Sequence, residues 1–255
     1  RPKGSNLRIR VNLDLKEIVN GVEKKIKVKR RVRAQGVTYK NCSSCSGSGQ
    51  VTRITNTILG RMQSSSTCPS CGGSGQVISN RPSNSDSNGL VVEEQTVLVK
   101  IPSGVEDGMQ LKVSGKGNDS VGDGVSGDLI VLIQEKEHPT LKREGNNLHF
   151  DLYISISDAV LGISKEIETV TGNVRIKLEP GIQSGKILRL RGKGLTSINS
   201  YGSGDLLVHV NVWTPKVLNR EQKTFFQQMK DDDNFAPSPQ SGDKSFFEKV
   251  KDMFS

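Results

Sequence analysis

Val97-Leu-Val-Lys100, Gly104, Gly108, Leu111, Gly115-Lys116-Gly117 and Ser126-Gly127-Asp128-Leu129 return 77 residues later. They reappear as Val174-Arg-Ile-Lys177, Gly181, Gly185, Leu188, Gly192-Lys193-Gly194 and Ser203-Gly204-Asp205-Leu206. Between 97–133 and 174–210, 14 of 37 positions are identical without a gap, where chance gives about two, so the unit is duplicated. The upstream halves also match, at a different offset. Asn6-Leu-Arg-Ile-Arg-Val-Asn-Leu-Asp-Leu15 meets Asn147-Leu-His-Phe-Asp-Leu-Tyr-Ile-Ser-Ile156, and Gly21-Val22 meets Gly162-Ile163, 141 residues on. The first copy therefore carries about 64 extra residues between roughly Val28 and Val97. An insertion confined to one copy of a duplicated unit points to a function of its own.

Each copy reads as β structure. Leu7, Ile9, Val11, Leu13 and Leu15 are apolar at every second position, as are Leu148, Phe150, Leu152, Ile154 and Ile156. That period marks a strand with one buried face. Ile26 and Val28 alternate with Lys25, Lys27 and Lys29, a second strand with a basic outer face. Pro-Ser-Gly at 102–104 and Pro-Gly at 180–181 are turns. The Gly-Lys-Gly triplets lack a following helix, so they read as a repeated turn rather than a phosphate loop. Asp158-Ala-Val-Leu-Gly162 reads as one short helical turn between strands. The expected fold is mainly β: two tandem homologous β-sandwich domains, a small insertion in the first, and short C-terminal helices. The expected domains are 5–138, with the insertion about 36–80, then 139–215, then a helical segment 216–255.

Composition narrows the class. Hydrophobic residues are 33% and aromatics 4%, a lean core, and no run approaches the ~18 apolar residues of a membrane helix. The net charge of +9 is local, because residues 1–40 alone hold 13 Lys and Arg against 3 Asp and Glu. A basic stretch suits a solvated strand face, an acidic partner surface or nucleic acid. A zinc-bearing nucleic-acid binder is the alternative reading. It lacks exposed aromatic platforms for stacking, since residues 1–40 contain only Tyr39.

The four cysteines stand as Cys42-x-x-Cys45 and Cys68-x-x-Cys71, inside the insertion. Each pair runs on in the same way: Cys45-Ser-Gly-Ser-Gly-Gln-Val51 and Cys71-Gly-Gly-Ser-Gly-Gln-Val77. Two residues between paired cysteines let one tight turn present both sulfurs to one ion, and two such knuckles complete a tetrahedral four-thiolate zinc site. One Zn2+ per chain is expected. Four protein ligands leave no open position for water, so the zinc is structural. A redox dithiol would need a βαβ setting, and none is present. Thiolates that hold metal fit a reducing cytoplasm.

Catalysis finds no support. The three histidines are His138, which precedes Pro139, and His149 and His209, which alternate within strands. None stands beside a nucleophile, and no P-loop or H-E-x-x-H occurs. No catalytic residue is assigned.

The knuckle Cys-x-x-Cys-x-Gly-x-Gly, inserted into the first of two tandem β-sandwiches, resembles the DnaJ family of co-chaperones. The resemblance spans nearly the whole chain. It includes His138-Pro139, Arg143-Glu-Gly-Asn-Asn-Leu148, Leu188-Arg-Leu-Arg-Gly-Lys-Gly194, Gly204-Asp-Leu-Leu207, Thr214-Pro215, Leu218-Asn219 and Ser245-Phe-Phe247. The family usually has four such repeats and two zinc ions, the inner pair forming one site and the outer pair the other. Only two repeats stand here, and they look most like the inner pair. The His-Pro-Asp triplet of the J-domain does not occur, so a J-domain is expected to precede Arg1. The resemblance implies binding of unfolded polypeptide and its delivery to a DnaK-type chaperone ATPase. It places the client groove on the first sandwich, at positions matching Leu7, Ile26, Val28, Leu111 and Leu141. Lys25, Lys27, Lys29 and Arg30 would flank that groove and favour acidic partner tails.

Helices are expected only near the end. Asn219-Arg-Glu-Gln222 has a capping residue with Gln three positions on. Phe246, Phe247, Val250, Met253 and Phe254 share one face of a short terminal helix. A helix so short is marginal alone and must dock, on its own domain or on a second copy. A homodimer through this helix is the expectation.

Overall fold

Alternation carries Leu7–Leu13 into β1, and Asp14 ends it. The structure, a computed structural model, describes residues 2–57, 60–198 and 202–239. Asp14 caps α1 (Leu15–Asn20): its carboxylate accepts the Glu17 amide at 2.8 Å, and Glu17 accepts the Asp14 amide at 3.1 Å. This reciprocal box satisfies helix-end donors. It also corrects the expectation that period two continues to Leu15, because Leu15 opens a helix and is buried there. Its counterpart Ile156 also opens a helix, where it is half-buried.

The remaining strands of the first half are β2 (Val22–Arg33), β3 (Thr38–Asn41), β4 (Gln50–Thr57), β5 (Gly60–Thr67), β6 (Gln76–Asn80), β7 (Leu90–Ile101), β8 (Gln110–Val113) and β9 (Leu129–Glu135). The second half holds β10 (Leu141–Glu144), β11 (Asn147–Ser155), α2 (Ile156–Leu161), β12 (Ile163–Thr169), β13 (Gly172–Leu178), β14 (Ile187–Leu190), β15 (Leu206–Trp213) and α3 (Arg220–Met229). The chain divides into two units. One runs to His138 and takes in Leu195–Gly202; the other holds Pro139–Gly194 and continues from Ser203.

The duplication reappears pair by pair. In the first unit β1 pairs in parallel with β9, Leu7 opposite Leu129, and β8 pairs antiparallel with β9, Leu111 opposite Val131. In the second unit β11 pairs with β15, Leu148 opposite Leu206, and β14 with β15, Leu188 opposite Val208. The hairpins correspond too: β2–β7 sets Val22 against Ile101, and β12–β13 sets Ile163 against Leu178. Asp14 and Ser155 hold equivalent caps. The same two sequence offsets therefore relate three ladders of the first unit to three of the second.

The inward faces form the cores. Leu13, Ile18, Val99, Val105, Leu129, Val131, Ile133 and Leu195 are sealed in the first unit, and Leu148, Ile154, Leu178 and Leu206 in the second. Each contributes about 1.5–3 kcal/mol by leaving water. The turns are copied as well. Asp128 accepts the Gly115 amide at 3.1 Å and Asp205 accepts the Gly192 amide at 2.8 Å. Gly115 and Gly192 both adopt φ +69°, a left-handed conformation that glycine allows without strain. This is the conformational reason for the repeated Gly-Lys-Gly turn.

The insertion enters as a prolonged hairpin. The second copy turns at Thr169 opposite Gly172, whereas the first continues past the equivalent pair, Val28 opposite Gln95, to Arg33 opposite Leu90. Beyond it lie β3–β6 and then β4–β5, each a two-stranded ribbon.

α3 has the expected cap. Asn219 accepts the Gln222 amide at 2.8 Å and Gln222 accepts the Asn219 amide at 2.9 Å. Phe246, Phe247, Val250, Met253 and Phe254 lie outside the described residues.

Candidate functional site

The two cysteine knuckles are related by a local twofold. Cys42 donates its amide to Gly75 O at 2.9 Å, and Cys68 donates to Gly49 O at 3.0 Å. Ser48 and Ser74 each donate their hydroxyl to a cysteine carbonyl, Cys45 O and Cys71 O, at 2.7 Å. Glycine is required where the knuckles cross. A Cβ on Gly49 would stand 2.5 Å from Gly73 O, and one on Gly75 would stand 2.4 Å from Gly47 O. Val51 and Val77 pack against the sulfurs.

Four ligand sulfurs, from Cys42, Cys45, Cys68 and Cys71, lie within 4.8 Å of one another. Cys42 Sγ is 3.9 Å from Cys68 Sγ, and Cys45 Sγ is 3.8 Å from Cys71 Sγ. Tetrahedral zinc with sulfurs at ~2.3 Å spaces them about 3.8 Å apart, whereas a disulfide needs about 2.05 Å. The donor set therefore fits one zinc ion per chain and excludes paired disulfides. The Gly49 amide donates to Cys45 Sγ and the Gly75 amide to Cys71 Sγ, each at 3.3 Å. Burial opposes ionisation of Cys71, but the amides of Gly75 and Gly73 outweigh it and bring the thiol to about 7. Cys45 is also lowered, against burial, by the Gly49 amide. Burial holds Cys68 up. With all four positions taken by protein, the ion cross-links the two knuckles.

The metal module is anchored within its own unit. Gln76 donates to Asp123 at 2.9 Å and accepts the Asp123 amide at 2.8 Å. Asp119 accepts the Arg33 amide at 3.0 Å. On the other side of the cysteines, β5 is exposed along its length, and Ile54 of β4 and Met62 of β5 stand in solvent. Residues 34–85 contain no Asp or Glu, and carry Lys40, Arg53, Arg61 and Arg81. Sequence reasoning missed this ribbon, because its Ser, Thr and Gln residues carry no apolar alternation.

The client-groove candidates separate. Leu7, Ile26, Val28 and Leu111 belong to the first unit, while Leu141 belongs to the second. Leu7, Ile26 and Leu111 are half-buried. Val28 is 4% exposed and Leu141 5%. Leu141 opens β10 opposite Phe150. Arg30 is also displaced from its expected role. It faces inward, 6% exposed, and binds Asp119 at 2.8 Å. Lys25, Lys27 and Lys29 are exposed with Arg31 and Arg33 on the opposite face of β2, beside Leu98 and Val92 of β7.

Among the described residues, no helix is long and apolar enough to cross a membrane. Residues 7–215 match the DnaJ C terminal domain family. A relative from Bacteroides thetaiotaomicron, named Chaperone protein DnaJ, is 46% identical over 263 residues, covering 100% of this chain and 66% of its own length. Relatives of the same name from Porphyromonas gingivalis and Chlorobaculum tepidum are 44% and 39% identical, covering 98% and 99% of this chain and 68% and 65% of their own lengths. The chain thus spans about two thirds of the curated relatives it matches.

Proposed function

The chain belongs to the DnaJ C terminal domain family, and from that premise we propose that it binds non-native polypeptide by strand addition and serves a DnaK-type chaperone ATPase. It is a co-chaperone part rather than an enzyme. The observation that carries the reading is an open strand edge in the unit that also holds the half-buried Leu7, Ile26 and Leu111. Among the described residues β2 pairs only with β7, and Ile26 lies on β2 while Leu7 and Leu111 lie on β1 and β8. Backbone hydrogen bonds at such an edge give affinity without reading sequence, and alternate client side chains take the apolar positions.

The exposed lysines of β2, Lys25, Lys27 and Lys29, offer acidic partner tails a place to land. Salt would weaken that contact, as it does any exposed charge pairing. Lys27 lies 3.4 Å from Glu94, and Lys100 lies 3.0 Å from Glu23, so acidic side chains are interleaved. That mixture suits peptide better than the phosphates of nucleic acid, which would meet Glu23 and Glu94 as well. We assign the work to the cytoplasm, where the thiols stay reduced, and to a homodimer, whose paired units could hold one client at two points.

The test is suppression of aggregation of a chemically denatured client by the zinc-loaded chain. Stoichiometric suppression, weakened when Ile26 and Leu111 are changed to serine in a protein that keeps its zinc, is expected. Aggregation at the same rate with and without the chain would overturn the reading.

A further inference from the structure

The second unit gathers two histidines and a glutamate that the proposed function does not use. His149 lies on β11 and His209 on β15, strands paired in parallel, and both point to the outer face of the sheet. The inward positions beside them, Leu148, Leu152, Val208 and Val210, are buried. His149 Nδ1 is 2.8 Å from His209 Nε2, and His149 Nε2 is 2.7 Å from Glu144 Oε2. The rings lie 5.1 Å apart, tilted by 21°.

A carboxylate only accepts, so His149 donates Nε2–H toward Glu144, and in its neutral form it keeps a lone pair on Nδ1. That lone pair faces His209. A carboxylate behind the far nitrogen of an imidazole is the arrangement that orients metal-ligating histidines and raises their basicity.

We propose that His149 Nδ1 and His209 Nε2 form a second metal site, for a divalent ion of the copper or nickel class. The separation of the nitrogens selects the geometry. With metal–imidazole bonds of about 2.0–2.1 Å, ligands at a right angle stand about 2.8–3.0 Å apart, while tetrahedral ligands stand about 3.3–3.4 Å apart. The hydrogen-bonded separation of 2.8 Å needs little change to become the right-angled pair of a square-planar or octahedral ion, and more to become a tetrahedral pair. Nitrogen and oxygen donors in tetragonal geometry are the preference of divalent copper and nickel. Asp151 is the cross-strand partner of His209, and lies two residues from His149 on the same face. Its carboxylate does not gather with the two nitrogens as a third ligand, so water fills the remaining positions. On binding, His209 holds its proton on Nδ1, and its Nε2–H···N bond to His149 gives way to the metal. The site differs in donors and geometry from the four thiolates, so the two ions do not compete.

Nickel is the probe, because it leaves thiols unoxidised. The zinc-loaded chain is dialysed against micromolar Ni2+ at neutral pH, and nickel and zinc are both quantified. One nickel per chain, with zinc held at one, is expected. His209→Gln and His149→Gln should each weaken nickel uptake more than tenfold, and Glu144→Gln about tenfold. Zinc retained in each variant shows that the fold survives. Unchanged uptake in the double histidine variant, nickel gained only as zinc is lost, or no uptake at 100 µM free Ni2+ would each overturn the proposal. The outcome does not depend on client binding.

Discussion

Arg30 donates to the Asp119 carboxylate at 2.8 Å, and this buried pair joins the prolonged β2–β7 hairpin to the loop that precedes β9. Only 6% of Arg30 reaches solvent, and its Nε finds no partner among the described residues. Asp119 also accepts the Ser126 hydroxyl at 2.6 Å and the Arg33 amide at 3.0 Å. Removing one partner from such a pair leaves a buried charge uncompensated. Asp119→Ala is expected to destabilise the first unit by about 3 kcal/mol, within the range for broken buried pairs. Chemical denaturation followed by circular dichroism measures it. A loss no larger than that of Glu94→Ala, an exposed pair, would refute the assignment.

The same carboxylate predicts an acid dependence. Burial raises the Asp119 pKa, but the Ser126 hydroxyl, the Arg33 amide and the two arginine charges lower it further, for a net depression. Lys3 and the Gly115 amide lower Asp128, and the Gly192 amide and Arg189 lower Asp205. A group depressed in the folded state binds fewer protons there than in the unfolded chain. Its contribution is complete above the unfolded value of about 3.9 and fades as pH falls through the folded value. Stability is expected to be flat from these groups near pH 6 and to fall below about pH 4. Asp119→Asn should flatten part of that fall. An unchanged acid slope in the variant would count against it.

Parity decided what the sequence disclosed and what it hid. The strands shared by the two copies were legible, because apolar alternation and the two offsets constrain the same residues twice. The zinc site was legible because four thiolates in two turns permit few geometries. Arg30 was misplaced among the surface lysines, although its even number puts it on the face of Ile26 and Val28. Leu15 and Ile156 kept the strand period while their neighbours Asp14 and Ser155 capped helices. Leu141 followed a proline and gave no period, yet it begins a strand. The β4–β5 ribbon and the His149–His209 pair left no local signal. The first has no apolar face, and the second arises from residues 60 apart that meet only through the parallel pairing of β11 and β15.

The twofold of the metal module makes a symmetric prediction. Gly49 and Gly75 each lie under a backbone carbonyl of the opposite knuckle, and both adopt φ +75°. Alanine at either place meets the same clash and the same backbone strain. Gly49→Ala and Gly75→Ala should lose zinc to a chelator at similarly increased rates, while Gly72→Ala, whose Cβ meets nothing within 4 Å, should lose it far less readily. Zinc release to a colorimetric chelator reads this directly. Removing the ion from the native chain should open 38–80 to proteolysis and spare the β1–β9–β8 sheet, since no ladder of that sheet includes an inserted residue.

The client-groove candidates differ in a way that separates packing from binding. Val28 and Leu141 are sealed from solvent, so truncation leaves a cavity. Leu141→Ala should cost about 2–5 kcal/mol, and Val28→Ala somewhat less. Leu7, Ile26 and Leu111 remain half-exposed, so serine at these positions removes less burial and should cost under about 1.5 kcal/mol each. Binding should rank in the opposite order: affinity for an unfolded client, read by fluorescence anisotropy, should fall several-fold for Ile26→Ser with Leu111→Ser and stay near wild type for Leu141→Ala at temperatures where it is folded. If Leu141→Ala, measured while native, weakened the client as much as the Ile26 and Leu111 pair, exposure would not be what defines the groove, and the open edge of β2 would lose its claim to the client.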